Sequence, residues 1–538
     1  MKGKFKKIIA AGLSSLILLG AVSCGGTGGK QESVDPNVED LKNLHIVAFE
    51  RGYGVEMIKE WAKAFEKTKD GVKVEVEVLV EQSHLSTYFE LGPGYSDYDI
   101  FFNPYSTAAS LDNAYKNKFE GFKGHGLMDY TEFYDEKVYG EDITLKEKIN
   151  PSLLKMMQNV DNNEHYYAFP WAMALQSFVV NHTVVSEALG TNYKLPNTTE
   201  ELVQFAENIK KAGYMPFTYP GQIDYWTPCF FTWWAQYEGL ENYNMFYEGK
   251  VYDEIQEQYI YSADIYKQQG RLESLLVMEE LLDLDNGYHL SSVNDYNALN
   301  FTALQTAFLN SYAAPSNNRK YAMFPNGDWL ASESANANSD DIIMMSMPIV
   351  STIIRQCPTI ENDAELSKLI DAIDAGSAAL EGEGYSVSQE DYNRIYEARN
   401  IVYGQANSHI MYSPVYANAK TLIKEFLLFI ASDTGCQIYL KHVKPGILPV
   451  QYDYPATDDM FFNSVSKLAN KTMINQYTNS LLSVTQGVAP RSYNSGYYEA
   501  LLGVSKTSKQ YHTAQQIFEN EFVSEAAFNQ ILRNAGLI

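Results

Sequence analysis

Leu44-His45-Ile46-Val47-Ala48-Phe49 is a nearly unbroken apolar run, and the next apolar residues, Ile58, Trp61, Ala62 and Phe65, fall at helical spacing. Val72, Val74, Val76, Val78 and Val80 then alternate with Lys73, Glu75, Glu77 and Leu79. A buried strand, an amphipathic helix and a second strand in this order predict a βαβ unit. Such a unit needs a parallel pair and a sheet covered by helices, so the fold class is α/β. Tyr98-Asp99-Ile100-Phe101-Phe102 predicts a further short strand, ending at Asn103-Pro104-Tyr105.

Upstream, Lys2, Lys4, Lys6 and Lys7 precede an apolar stretch from Ile8 to Val22, the layout of a secretory signal and short for a membrane span. The ending Ala21-Val22-Ser23-Cys24 resembles the lipobox of bacterial lipoproteins, with Ala21 where that family usually has Leu. The resemblance implies that residues 1–23 are a signal peptide and that Cys24 is lipidated as the new N-terminus. A signal cut elsewhere, or retained as an anchor, is the alternative. Cys24-Gly25-Gly26-Thr27-Gly28-Gly29 opens a stretch, 24–42, that reads as the flexible tether expected after an anchor. The several acyl chains of such lipoproteins hold a protein stably at a membrane.

The 538 residues are 45% hydrophobic and 20% charged, enough apolar material for more than one core. The formal net charge is −26, and since residues 1–23 carry four Lys and no acid, the remainder carries −30. A field of that sign argues against a nucleic-acid partner and favours neutral or cationic ones. The 40 Tyr outnumber 26 Phe and 6 Trp, so much of the aromatic surface carries a hydroxyl able to meet a polar ligand. After Cys24 only Cys229, Cys357 and Cys436 remain, spaced for no metal motif and read as small buried hydrophobes.

A second zone opens near Tyr166-Tyr167-Ala168-Phe169-Pro170-Trp171 and continues through Phe178-Val179-Val180. Thr198 and Glu201 have capping-box spacing before Leu202, Phe205, Ala206 and Ile209. Tyr214 to Tyr247 is the aromatic maximum of the chain. Tyr321-Ala322-Met323-Phe324 runs into Pro325-Asn326-Gly327-Asp328, which reads as a turn, and then Trp329. Ile342 to Val350 predicts another buried strand, 361–400 an inserted helical hairpin, Leu422 to Ile430 an apolar helix, and Phe518 to Ile538 a last amphipathic one.

The order of these landmarks resembles that of the extracellular solute-binding proteins of bacterial ABC importers, in particular the sugar-binding family that includes maltose-binding protein. It rests on the lipobox, the first strand with loop Glu50-Arg51-Gly52-Tyr53-Gly54, the Asp99-Ile100 strand and Ala168-Phe169-Pro170. Leu195-Pro196-Asn197-Thr198-Thr199-Glu200-Glu201-Leu202 is similar to the family's Pro-x-Thr-Trp-Glu-Glu-Leu, with Thr199 in place of Trp. Ala322-Met323-Phe324-Pro325-Asn326-Gly327-Asp328-Trp329, the helix Ile423-Lys424-Glu425-Phe426-Leu427 and Pro490-Arg491 complete it. The resemblance implies a two-lobed periplasmic-binding-protein type II fold, with lobe 1 from 43–168 and 411–454 and lobe 2 from 169–410 and 455–538. The resemblance implies a carbohydrate ligand, an oligosaccharide, in the cleft between the lobes. ABC permease subunits would be the partners, and a monomer held by its lipid at the outer face of the cytoplasmic membrane would be the working form. No cofactor and no metal are implied.

A neutral sugar offers apolar faces edged with hydroxyls, so its site needs flat rings and planar polar groups. Trp329 matches the Trp of the family's Asn-Gly-x-Trp platform, with Asn326 and Asp328 beside it; its alternative is a core Trp after a strand. Trp171 at the first crossover faces either the cleft floor or a packed hinge. Trp226, with Asp224, follows a loop and is preferred over Trp233 and Trp234, whose helical spacing reads as core. Glu50, Arg51 and Tyr53 follow the first strand, and Asn103 and Tyr105 follow the Asp99 strand, at carboxyl ends where ligands bind in α/β sheets. Each could equally line a solvated loop. Arg491 and Tyr497 align loosely with a family segment that stacks on sugar, against a surface-packing alternative.

The sequence lacks His-Glu-x-x-His, Gly-x-Ser-x-Gly and a Walker loop. Asp283-Leu284-Asp285-Asn286-Gly287 lacks the remaining ligands of a calcium loop and reads as a polar turn. The expectation is a non-enzymatic receptor. A surface glycoside hydrolase formed by two of the many carboxylates, or the same fold with a peptide or other small solute, are the rivals.

Overall fold

The computed structural model describes residues 39–50, 52–79, 81, 84, 87–89, 92, 96–102, 108–119, 122–151, 153–154, 165–219, 225–289, 301–313, 318–333, 341–404, 409–455, 457–474, 513–534 and 538. The chain divides into two compact units, Met1–Glu39 and Asp40–Ile538, and the strands and helices described belong to the second. Strands β1 (Asn43–Phe49) and β2 (Lys73–Leu79) pair in parallel along their whole length, with helix Glu56–Glu66 between them in the chain. This is the βαβ unit read from the sequence. Its helix buries Met57, Ile58, Trp61, Ala62 and Phe65. Val74, Val76 and Val78 of β2 are half-buried while Lys73, Glu75 and Glu77 are exposed, and charge on an edge strand discourages further pairing.

Strand β3 (Ile100–Phe102) adds in parallel to β1. Two strands from far along the chain complete this first sheet: β14 (Ile410–Tyr412) lies antiparallel to β3, and β4 (Phe169–Pro170) antiparallel to β14. A second sheet is built around β5 (Leu175–Asn181), which pairs with β9 (Tyr321–Gly327) on one side and with β13 (Ile401–Gly404) and β10 (Ile342–Met344) on the other. Strands β6 (Met215–Phe217) and β15 (Thr472–Ile474) close its two edges. Two small hairpins, β7 (Lys250–Asp253) with β8 (Gln258–Tyr261) and β11 (Glu381–Gly382) with β12 (Tyr385–Ser386), stand apart. Among the described strands the chain changes sheet three times: between β4 and β5, between β13 and β14, and between β14 and β15.

Several local readings are corrected. Pro325-Asn326-Gly327 is not a turn but the end of β9, with Pro325 opposite Phe178 and Gly327 opposite Gln176. Proline is tolerated because β6 stops at Phe217 opposite Met323, which leaves that flank of β9 without a strand to receive an N–H. The strand expected over Ile342 to Val350 stops at Met344. The last helix is two, Ala514–Asn520 and Glu525–Asn534, because the Ser524 hydroxyl accepts the Ala527 N–H and starts a new helix. Thr198 does cap helix Thr199–Lys211 through the Glu201 N–H, but the Glu201 carboxylate reaches back to the N–H of Asn197 at 2.7 Å, one residue before the box position.

The aromatic maximum is interior. Helix Thr227–Glu238 buries every residue from Thr227 to Tyr237, and its Trp233 and Trp234 indoles donate to Pro348 O and Gln268 Oε1. Beside it lies Arg271, fully buried, whose guanidinium sits 5.1 Å from the Phe246 ring and 5.6 Å from that of Trp234. Arg271 donates to Tyr266 O and pairs with Glu521, which ties the C-terminal helices to this core. Removing one partner leaves a buried uncompensated charge. Arg271→Ala is therefore expected to cost about 3 kcal/mol in urea unfolding; a loss within experimental error would show that the pair is dispensable.

Candidate functional site

β9 reaches the junction of the two sheets at Gly327, beside the start of β5, and the chain then enters the 3-10 turn Asp328–Leu330. Asp328 is fully buried, and its Oδ1 accepts the Tyr53 hydroxyl at 2.7 Å and the Leu175 N–H at 3.2 Å. Tyr53 belongs to the loop after β1, so this hydrogen bond joins a loop of the first sheet to a strand end of the second. The Tyr53 ring lies 4.8 Å from His409 and meets Trp171 and Tyr439 edge-on at 6.2 and 6.4 Å. Burial pushes the Asp328 carboxyl up to about 8, against the Tyr53 hydroxyl and backbone amides that favour its charged form. Near neutral pH the acid therefore keeps a proton. Burial, followed by the nearby Asp328, holds the Tyr53 hydroxyl well above the usual phenol range.

Trp329 follows and is half-buried. Its ring folds over Gly327: a Cβ there would stand 2.1 Å from Trp329 Cζ3, so the ring itself, at an ordinary φ of −111°, demands glycine. The first sheet's loop abuts the same turn, since a Cβ on Gly52 would stand 3.4 Å from Trp329 Cβ and 3.2 Å from Glu333 Oε1. Glu333 is one helical turn past Trp329, its N–H donating to Trp329 O at 3.0 Å, and its Oε2 accepts Gln305 Nε2 at 2.9 Å. Removal from water raises the Glu333 carboxyl, and the Gln305 amide opposes the shift. Tyr225, buried and 5.6 Å from Phe324, has its hydroxyl raised by burial and then by Glu333. An indole, a carboxylate, an amide and a phenol thus gather at the seam between the sheets, the donor and acceptor set that a hydroxylated ring can use. Among the described residues no group of three or more His, Cys, Asp and Glu is placed to hold a metal ion.

Gly327→Ala is expected to push the Trp329 ring off its seat with little backbone strain. Tryptophan emission should shift to the red while the unfolding midpoint changes less; an unchanged spectrum would show that the ring does not depend on this glycine.

The chain matches solved structures over most of its length. The chitin oligosaccharide binding protein superimposes with a TM-score of 0.54 at 14% identity, over 92% of this chain and 99% of that one. The apo form of RafE from Streptococcus pneumoniae gives 0.54 at 14%, over 91% and 99%. The GacH receptor of Streptomyces glaucescens gives 0.52 at 12%, over 92% and 99%. The fold is that of the two-lobed extracellular solute-binding proteins. No protein-family model and no curated protein matches the chain.

In this solute-binding fold the crossings between sheets and the carboxyl end of β9 lie together, and the residues singled out from the sequence distribute unevenly around them. Tyr53, Asn326, Asp328 and Trp329 meet at the seam. Asn326 is 2% exposed, its Oδ1 accepting the Gly327 N–H at 2.7 Å. Glu50 is exposed at the end of β1. Trp171 stands next to Tyr53 but is 2% exposed, packed edge-on against Trp61 at 6.3 Å and His409 at 5.3 Å. Trp226 is equally buried, edge-on to Phe178 and Phe217. Neither of these two offers a ring face to solvent, because both fill the core beside the sheets. Cys24, Arg51, Asn103, Tyr105, Asp224, Arg491 and Tyr497 lie outside the described residues. Cys229, Cys357 and Cys436 are buried, as their reading as small hydrophobes expects.

Sequence reading missed Gln305, Glu333 and His409. Glu333 stands at i+4 from Trp329, a spacing that could have signalled it. Gln305 and His409 arrive from distant segments and had no local signal.

Proposed function

We propose that this protein is a lipid-anchored extracellular receptor that captures a carbohydrate at the seam of its two sheets and delivers it to an ABC transporter permease. The observation that carries the reading is Trp329, a half-buried ring held at the end of β9 against the Gly52 loop of the other sheet, with Glu333 and Gln305 beside it. A flat ring next to planar polar groups fits a sugar, and neighbours of the same fold include RafE in complex with raffinose. In this reading 43–168 with 411–454 forms one lobe, and 169–410 with 455–538 the other. Arg51, Asn103, Tyr105, Asp224, Arg491 and Tyr497 are the further contacts proposed from the sequence. Cys24 carries the anchor, and among the described residues no helix is long and apolar enough to cross a membrane.

Isothermal titration against neutral mono- and oligosaccharides tests the reading. Heat from at least one sugar, with the ligand recovered intact by chromatography, is the expected result. Cleavage products would replace the receptor with a glycosidase, and heat only from peptides or polyamines would replace the sugar.

A further inference from the structure

The second sheet carries a groove of about 1350 Å³ at the other end of β5 from the seam. Leu175, where β5 begins, touches Asp328, whereas His182, just beyond its end, lines the groove. Seven strand residues separate the two places by about 20 Å. The groove is floored by Ile343–Ser346 after the start of β10 and walled by 191–197, helix Gln389–Arg399 and helix Met460–Leu468.

Its charge runs against that of the chain. Four cationic residues, Lys194, Arg399, Lys467 and Lys471, line it, against one carboxylate, Asp374. Lys194 pairs with Asp371 at 2.8 Å and Arg399 with Asp374 at 2.5 Å. Among the described residues, Lys467 and Lys471 have no carboxylate partner. Lys471 Nζ donates to two neutral acceptors, Arg399 O at 2.7 Å and Ser346 Oγ at 3.4 Å. Burial and the Arg399 charge push its ammonium down to about 8, with Asp374 opposing. Asp374 is already paired with Arg399, so an incoming anion would add the countercharge that Lys467 and Lys471 need.

The groove also carries a ring. Tyr396 is 50% exposed and stacks on Tyr392 at 6.0 Å and 18°, and the Tyr392 hydroxyl is fixed by Ser377 O at 2.8 Å. Asn393, Asn463 and Ser464 add neutral hydrogen-bonding groups. The volume exceeds that of a pocket for one drug-sized molecule and leaves room for several sugar units.

We propose that this groove is a second ligand site that takes a short acidic oligosaccharide, with a sugar face on Tyr396 and carboxylates toward Lys467 and Lys471. The proposal is independent of what the seam binds. Titration of the full chain with tetragalacturonate at low ionic strength tests it. Binding that weakens with salt is expected, falling about tenfold or more in Lys467→Gln/Lys471→Gln and in Tyr396→Ala, and unchanged in Trp329→Ala. Lys467 is exposed, so Lys467→Gln alone, expected to weaken binding severalfold, keeps the test valid if the double variant misfolds. Absence of binding, insensitivity to both Lys variants, or loss in Trp329→Ala would overturn the site. Equal binding of maltotetraose would overturn its acidity requirement, and equal binding of a glutamate tetrapeptide its carbohydrate nature.

Discussion

Replacing Trp329 by Ala is expected to lower affinity for the cognate sugar about 100-fold, or about 2.7 kcal/mol. The ring is half-buried, seated on Gly327 and backed by the Gly52 loop, so little of its freedom remains to be lost on binding. Truncation removes the flat surface while Glu333 and Gln305 keep their hydrogen bond. Titration calorimetry reads the loss directly, and Trp329→Phe should recover part of it. An affinity within threefold of the parent would move the ligand away from this turn and strengthen the case for a different solute.

Replacing Asp328 by Asn is expected to stabilise the protein by about 3 kcal/mol at pH 9 and to change it by no more than about 1 kcal/mol at pH 5. The direction follows from linkage. An unfolded Asp ionises near pH 3.9, whereas burial holds this one protonated up to about 8. Between those values the unfolded chain binds fewer protons, so stability falls as pH rises, and the fall is complete above the folded pKa. The full difference corresponds to about 6 kcal/mol; an unpartnered amide in the variant offsets some of it. The Tyr53 hydroxyl and the Leu175 N–H can still donate to the Asn oxygen. Urea unfolding across the pH range checks this, and a stabilisation equal at pH 5 and pH 9 would contradict it.

The α/β class was legible because β1, its helix and β2 form one contiguous unit with both periodicities present in the sequence. Strand pairing between β3, β14 and β4 was not legible from periodicity, since contacts between residues near 100, 170 and 410 leave no local pattern. Pro325-Asn326-Gly327 misled for a related reason. Its turn chemistry is overridden by a long antiparallel register with β5, and proline fits because β6 is shorter than β9.

The candidate site was legible in sequence where one short segment supplies its residues. Asn326, Asp328 and Trp329 come from a single strand end, and Tyr53 from the loop after the first strand. The burial of Asp328 was not legible, because it depends on Tyr53 and Leu175 closing over it from elsewhere in the chain. The abundance of Tyr proved a poor guide for the same reason. Tyr243 and Tyr247, in the densest aromatic segment, are buried and hydrogen-bonded to each other at 2.9 Å, so they pack a core instead of facing a ligand.

The central claim is that carbohydrate binds at the seam between the sheets, against Trp329. A crystal structure of the protein with the sugar that binds most tightly tests it most directly. The account predicts a sugar face in van der Waals contact with the Trp329 indole and hydroxyls within hydrogen-bonding distance of Glu333 or Gln305. A sugar bound elsewhere, with this turn untouched, would contradict it.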